Sequence, residues 1–168
     1  SMNILDLGTG SGCIAITLAE EFKNSSVKAV DKSAEALKVA AQNAKRIGVS
    51  NIAFFEGSWY EPFMTAHADE NNKFDIIVSN PPYIDPNDPH LAGLTDEPIS
   101  ALIADNKGMA DICHIVKTAP QFLQPHGLLA IEHGYDQGEQ VRDVFLSNGF
   151  DEVITVKDYG DNERVTLG

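Results

Sequence analysis

A glycine-rich segment near the start of the chain constrains the fold more than any other feature. Residues 6–12 read Asp-Leu-Gly-Thr-Gly-Ser-Gly. They overlap the end of an apolar run, Asn3–Leu7, which is typical of a buried strand, and they precede an alanine-rich apolar stretch, 13–22, which is typical of a helix. Glycines between a strand and a helix let the backbone turn tightly and approach a ligand closely. The segment therefore predicts a ligand-binding turn of an α/β fold.

Strand and helix patterns alternate along the rest of the chain. The predicted strands are Asn3–Leu7, Val27–Asp31, Ile52–Phe55, Phe74–Ser79, Leu128–Glu132, Val153–Val156 and Arg164–Leu167. Alternation of this kind predicts a doubly wound, mostly parallel seven-stranded sheet with helices on both faces. The turn residues 158–162 between the last two strands predict a C-terminal antiparallel hairpin.

Four stretches between these strands have helical periodicity. The first is 13–22, and the second begins after the capping residue Ser33 and ends at Gly48. Its predicted buried face consists of Leu37, Ala40, Ala41, Ala44 and Ile47. The third covers 109–123, where Pro120 should kink or shorten the helix, and the fourth contains Val141, Val144 and Phe145. A proline- and aspartate-rich stretch, about 81–104, predicts a long loop, and Pro125-His126-Gly127 predicts a turn.

Length and charge limit the function classes. The chain has 168 residues, which favours one domain, and a formal net charge of −13. This charge argues against a general nucleic-acid binder and against binding to an anionic membrane surface, since both depend on clustered Lys and Arg. No apolar run approaches the roughly 18–20 residues of a membrane helix. We therefore expect neither a nucleic acid nor a membrane as a direct partner.

The cysteines and histidines predict neither disulfides nor a metal site. Cys13 and Cys113 are far apart in the chain and form no Cys-x-x-Cys pair, so a reducing cytoplasm is the simplest compartment. The five histidines lack the spacing of metal ligands and are interpreted as solvated or core residues.

The spacing of the glycines indicates which ligand the turn would hold. Gly-x-Gly-x-Gly differs from the dinucleotide pattern Gly-x-Gly-x-x-Gly because residue 13 is Cys, and no Gly-Lys-Ser/Thr follows as in a P-loop. Asp31 ends the second strand, where a carboxylate can accept hydrogen bonds from both hydroxyls of a ribose. The pattern favours a nucleoside cofactor without a pyrophosphate, above all S-adenosylmethionine, with S-adenosylhomocysteine as product. An NAD site, or glycines that only pack a helix on a strand, are the alternatives.

The predicted cofactor residues extend beyond the glycines. They are Gly8, Thr9, Gly10, Ser11, Gly12, Asp31, Trp59 and Asn80. Trp59 follows the third strand, and its ring could stack on an adenine or cap the core. The sequence leaves both interpretations open.

Asn80-Pro81-Pro82-Tyr83 follows the fourth strand directly. In a doubly wound sheet that strand lies beside the first, at the topological switch point where ligands bind. The Asn80 side-chain oxygen and the Pro81 carbonyl could accept hydrogen bonds from a planar NH₂ group, and prolines carry no competing N–H. Tyr83 could stack on that group and face a sulfonium. We predict catalytic roles for Asn80, Pro81 and Tyr83, and substrate contacts along Asn80–Tyr83; a Pro-rich turn without chemistry is the alternative.

Several segments together resemble a known family. The chain is similar to the HemK/PrmC family, the glutamine methyltransferases that act on peptide chain release factors. The similar segments are DLGTGSGCIAI (6–16), Asp31, Gly57–Trp59, NPPYI (80–84), EPISAL (97–102), LLAIEHGYDQG (128–138) and the closing residues 160–168. NPPY alone is shared with adenine-N6 DNA methyltransferases, whereas the later segments are narrower markers of the family.

The resemblance implies a Rossmann-like class I methyltransferase fold over residues 1–168, and methyl transfer to the glutamine of a Gly-Gly-Gln loop in a release factor. It implies cofactor contacts at Gly8–Gly12, Asp31, Trp59 and Asn80. The chain departs from relatives at Ser58, where Asp is common, and in a longer loop 64–73. The resemblance also implies an N-terminal helical domain that helps hold the release factor, and we expect that domain to be absent from this chain. We therefore expect cofactor binding but poor methylation of a folded release factor.

Three other functions remain open from the sequence. A ribosomal-protein glutamine is the nearest alternative substrate. A DNA adenine-N6 methyltransferase would share NPPY, but the net charge of −13 and the absence of a basic recognition segment argue against it. A non-catalytic cofactor-binding domain is the third alternative, and the intact Asn80–Tyr83 motif argues against it.

Overall fold

The computed structural model describes residues 1–64, 72–83 and 108–168. Most of the loop predicted over about 81–104, the EPISAL segment and most of the loop 64–73 lie outside these residues. The strands are β1 Asn3–Leu7, β2 Ser26–Asp31, β3 Ile52–Glu56, β4 Phe74–Ser79, β5 Leu123–Glu132, β6 Ile154–Lys157 and β7 Glu163–Leu167. The helices are α1 Cys13–Glu21, α2 Ala34–Ile47, α3 Ala110–Thr118 and α4 Gly138–Ser147, with 3₁₀ turns at Glu61–Phe63 and Ala119–Gln121.

The strands form a seven-stranded sheet in the order β3-β2-β1-β4-β5-β7-β6. β1 pairs in parallel with β2 and β4, and β2 pairs in parallel with β3. β7 is antiparallel to both β5 and β6. The predicted doubly wound, mostly parallel sheet with an antiparallel C-terminal hairpin is confirmed. The chain reverses its direction across the sheet between β1 and β4, which makes their carboxyl ends the topological switch point.

The chain divides into two compact units, and the first contains Ser1–Ser79 and Pro120–Leu129. Its core is built on β1, where Ile4, Leu5 and Leu7 are completely buried, as expected for a central parallel strand that is covered on both faces. Ala15 and Ala19 of α1 pack in one cluster with Ile4 and two buried residues of β2. Small alanine side chains bring this helix close to the sheet, so the sequence of α1 fixes the position of its N-terminal end.

The second unit contains Asn80–Ala119 and Ala130–Gly168. Its core includes Ile112 and Ile115 of α3 and Val141 and Phe145 of α4, all completely buried. His133 is also completely buried: its Nδ1 lies 2.9 Å from the Gly134 carbonyl oxygen, and its Nε2 lies 2.9 Å from Thr166 Oγ1. Burial lowers the pKa of His133. This histidine is therefore a neutral core residue, one of the two roles expected for histidines in this chain.

The two ends of α2 follow the predicted capping chemistry. Ser33 Oγ accepts a hydrogen bond from the Ala36 N–H at 3.2 Å, and Gly48 ends α2 with φ 91°. Pro120 shortens the third helix as predicted, because α3 ends at Thr118 and continues only as a 3₁₀ turn.

Two local predictions are wrong. The strand expected to begin at Leu128 begins at Leu123, so the Pro125–Gly127 turn lies inside β5, and only the φ of 65° at His126 keeps a turn-like conformation. Sheet pairing has overridden the local turn signal there. The face predicted for α2 is narrower than expected, because Ala41 is exposed and Ile47 is 49% exposed at the helix end.

Asn51 joins three backbone segments before β3. Its Nδ2 lies 3.1–3.2 Å from the carbonyl oxygens of Ala19, Phe22 and Ser25, at the end of α1 and the entry to β2. Asn51→Ala should lower the free energy of unfolding by about 1–3 kcal/mol, because these carbonyls lose a partly buried donor. Asn24→Ala, at an exposed position, should change it by less than about 0.5 kcal/mol. Equal midpoints for the two variants in urea denaturation would contradict this role.

Candidate functional site

The glycine loop, residues 8–12, has a backbone that only glycine adopts without strain. Gly8, Gly10 and Gly12 have φ values of 73°, 56° and 85°. A side chain at Gly12 would also collide with α1 and α2, since a Cβ there would lie 2.8 Å from Ile16 Cδ1 and 3.0 Å from Ala40 Cβ. At Gly10, no other atom of residues 1–64, 72–83 or 108–168 is found within 4 Å of that position. Backbone conformation and close packing together account for the glycines.

Four of the five N–H groups of this loop donate hydrogen bonds inside the first unit. Gly8 and Thr9 both donate to the Val30 carbonyl oxygen at 2.9 Å. Gly10 donates to Asp31 Oδ2 at 2.8 Å, and Gly12 donates to the Thr9 carbonyl oxygen at 2.9 Å. A phosphate-binding loop instead points such groups at its ligand. The geometry therefore disfavours a pyrophosphate at this loop.

Asp31 has a structural role that the sequence did not reveal. Its Oδ2 accepts the hydrogen bond from Gly10, and its Oδ1 accepts one from the Ser33 N–H at 2.9 Å. Asp31 therefore fixes the glycine loop to the end of β2 and shapes the entry to α2. Each carboxylate oxygen has a further lone pair, so Asp31 can still accept the hydrogen bonds predicted from ribose hydroxyls.

Asp6 is a buried acid directly before the loop. It is 1% exposed, and its Oδ2 accepts a hydrogen bond from the Thr9 hydroxyl at 2.6 Å. Its Oδ1 is buried without a hydrogen-bond partner among the described residues. Burial raises the pKa of Asp6 to about 6, with a smaller increase from the negative charge of Asp31, while hydrogen bonds from Thr9 and the Ala15 backbone oppose the rise. Sequence reasoning assigned Asp6 no role, although an acid before a glycine turn was a usable signal.

Trp59 lies against the glycine loop. A Cβ at Gly8 would be 3.2 Å from Trp59 Cζ3, and Trp59 has a left-handed backbone with φ 50°. The neighbouring Tyr60 is completely buried and stacks on Phe122 with ring centroids 4.7 Å apart. Tyr60 therefore fills the core at this point, while the half-buried Trp59 ring borders the loop. Its stacking on an adenine stays a prediction.

The NPPY segment, Asn80–Tyr83, belongs to the second unit. Asn80 is exposed, Pro81 is buried, and Pro82 and Tyr83 are half-buried. The Tyr83 hydroxyl lies 3.4 Å from Glu132 Oε1, and the Tyr83 carbonyl oxygen accepts a hydrogen bond from Gln137 Nε2 at 3.1 Å. Burial raises the pKa of Tyr83, and the charge of Glu132 raises it further. The segment therefore presents an exposed amide next to an anchored tyrosine.

In the first unit, the structure brings the predicted residues Gly8–Gly12, Asp31 and Trp59 together. Asn80, Pro81, Pro82 and Tyr83 form the predicted group of the second unit. Sequence reasoning missed Asp6, Glu132 and Gln137. The last two stand in the segment 128–138, which the sequence marked only as a family resemblance.

A family model decides the broad class of this fold. The model described as a methyltransferase domain matches residues 1–161. The chain belongs to the methyltransferase domain family.

Relatives with curated names are also similar to this methyltransferase domain. It is 48% identical to the release factor glutamine methyltransferase of Salmonella typhimurium over 98% of this chain, and 47% identical to that of Vibrio cholerae over the same share. The chain spans 58% and 57% of the lengths of these two relatives. The resemblance to the release factor methyltransferases is thereby confirmed.

A solved structure is similar to the methyltransferase domain in fold. A ribosomal protein L11 methylase from Lactobacillus delbrueckii subsp. bulgaricus has a TM-score of 0.69 and 22% identity, and the match covers 99% of this chain and 69% of that one. This likeness supports the Rossmann-like architecture. Across the described parts of the chain, none of the helices has the length and apolar character needed to cross a membrane.

Gly12 of the methyltransferase domain can be tested against Gly48, which shares its backbone conformation. Both have left-handed φ values, but in the described part of the chain nothing lies within 4 Å of a Cβ at Gly48. Gly48→Ala should cost about 1–2 kcal/mol through strain alone. Gly12→Ala should cost at least about 1 kcal/mol more, because its methyl group meets Ile16 and Ala40. Thermal or urea unfolding measures both, and equal losses would show that packing around Gly12 is unimportant.

Asp6 should make the stability of the methyltransferase domain depend on pH. Its folded-state pKa of about 6 exceeds the ordinary 3.8, so the folded protein binds this proton more tightly than the unfolded chain. As pH rises from about 4 to about 6, the wild type should lose about 2 kcal/mol of unfolding free energy relative to Asp6→Asn, out of a total of about 3 kcal/mol between about pH 3 and about pH 7. The unfolding free energy of Asp143→Asn, at an exposed position, should depend on pH as that of the wild type does. Parallel curves for wild type and Asp6→Asn would refute the raised pKa.

Proposed function

We propose that this protein transfers a methyl group from S-adenosylmethionine to the side-chain amide nitrogen of a glutamine in a protein, most specifically the Gly-Gly-Gln glutamine of a peptide chain release factor. The observation that carries this proposal is the 47–48% identity, over 98% of the chain, to proteins named release factor glutamine methyltransferases. The assignment of residues 1–168 as the catalytic domain is part of the proposal, and the family match over 1–161 supports it.

The charge and hydrogen bonding around the glycine loop fit S-adenosylmethionine. Asp6 and Asp31 place two acidic side chains beside the loop, and the N–H groups of Gly8, Thr9, Gly10 and Gly12 are already donated. S-adenosylmethionine has no phosphate and carries positive charges on its sulfonium and amino groups. A dinucleotide would bring two phosphates to a loop with acidic neighbours and few available donors. These residues therefore fit the sulfonium cofactor better than NAD.

Specific roles follow for the cofactor residues. Gly8–Gly12 provide a backbone surface without side chains, and Asp31 retains lone pairs for ribose hydroxyls. Trp59, which borders the loop at Gly8, has a ring suited to covering an adenine. When bound, S-adenosylmethionine supplies an electrophilic methyl group.

Asn80 and Pro81 are proposed to orient the substrate amide. The lone pair of an amide nitrogen is spread into its carbonyl group, so that nitrogen is a weak nucleophile. Acceptors at the Asn80 side-chain oxygen and the Pro81 carbonyl would hold its two N–H groups and fix the direction of the nitrogen. Asn80 is exposed and can reach a substrate, while Pro81 is buried and holds the backbone rigid. Rate enhancement would come mainly from orientation and electrostatics.

Tyr83 is proposed to stack on the planar amide rather than to remove a proton. Burial and the neighbouring Glu132 raise the pKa of Tyr83, so its phenol stays neutral and its ring keeps its electron-rich face. A strong base is unnecessary, because a methylated amide cation is very acidic and loses its proton readily.

Methyl transfer should be measured with labelled S-adenosylmethionine and three acceptors: a Gly-Gly-Gln peptide, an intact release factor and double-stranded DNA. Mass spectrometry should place the methyl group on the glutamine. Asn80→Ala should lower kcat/KM about 10²–10³-fold, since an orienting acceptor is lost. Asn24→Ala should leave the rate unchanged.

Other outcomes would contradict the proposal in different ways. Label on DNA adenine would make the protein an adenine methyltransferase. Transfer to a ribosomal-protein glutamine but not to Gly-Gly-Gln would change the substrate and keep the chemistry. If the Asn80→Ala variant methylated the Gly-Gly-Gln glutamine as fast as the wild type, Asn80 would have no role in the mechanism.

A further inference from the structure

We propose that Gln137 is a positioning residue that holds the NPPY segment by a two-sided hydrogen-bonded clamp, and so orients the acceptors Asn80 and Pro81. This inference rests on the proposed function for its catalytic consequence. The clamp itself is defined by contacts within the second unit: Gln137 is only 7% exposed, directly before α4.

The clamp uses both ends of one amide group. Gln137 Nε2 donates to the Tyr83 carbonyl oxygen at 3.1 Å, and Gln137 Oε1 accepts from the Gly134 N–H at 2.8 Å. The Gln137 N–H also donates to the Gly134 carbonyl oxygen at 3.0 Å, which closes a tight turn. The turn therefore fixes the backbone of Gln137, and the Gly134 N–H fixes its amide. The remaining freedom of the Nε2 group is small, so the Tyr83 carbonyl oxygen is held in place.

Two glycines make this contact close-packed. A Cβ at Gly108 would overlap the Tyr83 carbonyl oxygen and lie 2.8 Å from Gln137 Nε2, and Gly108 has a left-handed φ of 78°. A Cβ at Gly134 would lie 3.0 Å from Gln137 Oε1. The backbones of both glycines therefore lie in close contact with the clamp. A contact enclosed in this way tolerates little displacement.

The composition of the NPPY segment explains why it needs an external anchor. Pro81 and Pro82 have no N–H, so the middle of the segment cannot donate a backbone hydrogen bond. Tyr83 is the next residue, and the clamp holds its carbonyl oxygen. On its other side the Tyr83 hydroxyl contacts Glu132, at 3.4 Å. Pro81 and Pro82 restrict the backbone between this anchor and Asn80, whose side chain is exposed, so the anchor also limits the direction of Asn80.

Loss of the clamp should affect orientation more than binding. Gln137→Glu keeps the acceptor for the Gly134 N–H but replaces the donor to Tyr83 with an anionic oxygen. We expect kcat for the Gly-Gly-Gln peptide to fall ~10-fold or more, because a small misplacement of orienting groups is costly. The KM for the peptide and the dissociation constant of S-adenosylhomocysteine should change less than about two-fold. Gln140→Glu, at an exposed position on the same helix, is the matched control and should behave as wild type.

The pH profile of Gln137→Glu separates positioning from general stabilisation. Below its pKa the introduced carboxyl group regains an O–H donor for the Tyr83 carbonyl oxygen, and burial raises that pKa. Its kcat, relative to wild type, should therefore recover as pH falls. Gln137→Leu, which cannot regain a donor at low pH, should show no such recovery.

The clamp can also be observed without any activity. Tyr83-Ile84 is the one Tyr-Ile pair in the sequence, so labelling tyrosine with ¹³C at the carbonyl and isoleucine with ¹⁵N isolates a single NMR signal from that peptide group. Loss of the hydrogen bond should move the Tyr83 carbonyl resonance upfield in Gln137→Leu and Gln137→Glu. Gln140→Leu should leave it in place.

The outcomes distinguish the two proposals. An unmoved carbonyl resonance in the Gln137 variants overturns the clamp, whatever the activity. A moved resonance with unchanged kcat overturns its role in positioning. A wild-type protein that transfers no methyl group refutes the proposed function instead, and the NMR measurement still decides whether the clamp exists.

Discussion

The described site depends first on how the glycine loop is tied to the end of β2. Two loop N–H groups share the Val30 carbonyl oxygen, and a third binds the Asp31 carboxylate. These bonds require the left-handed backbone that Gly8 and Gly10 adopt. Because the loop leads directly into α1, its attachment also sets where that helix begins. These hydrogen bonds thus connect the end of β2, the glycine loop and the start of α1.

The same attachment determines the electrostatic character of the loop. Four of its five N–H groups donate within the first unit, and the Oδ1 of the neighbouring Asp6 is buried with no hydrogen-bond partner among the described residues. Burial makes the charged form of Asp6 costly, and the nearby Asp31 adds to that cost. A cationic ligand relieves such a cost, whereas a phosphate increases it. The charge around the loop therefore supports the proposed sulfonium cofactor over a dinucleotide.

The two predicted groups of site residues are anchored differently. The glycine loop is held by backbone bonds to its own neighbouring strand, within about twenty residues of sequence. The NPPY segment is held by side chains from distant parts of the chain, namely Glu132 and Gln137. The prolines restrict the backbone of the segment, and Glu132 and Gln137 fix where that backbone lies. The proposed mechanism needs both, because orientation of a weakly nucleophilic nitrogen is most of what the protein contributes.

The sequence alone determined the order of strands and helices, the glycine turn, the caps Ser33 and Gly48, and the shortening of α3 at Pro120. Each of these depends on local backbone chemistry or on hydrophobic periodicity, which are properties of neighbouring residues. Only the tertiary structure decided that Asp31 holds the loop, that Asp6 is buried with one unpartnered oxygen, that β5 runs through Pro125–Gly127, and that Gln137 reaches Tyr83. These features depend on contacts and burial produced by the whole fold, and no local pattern encodes them.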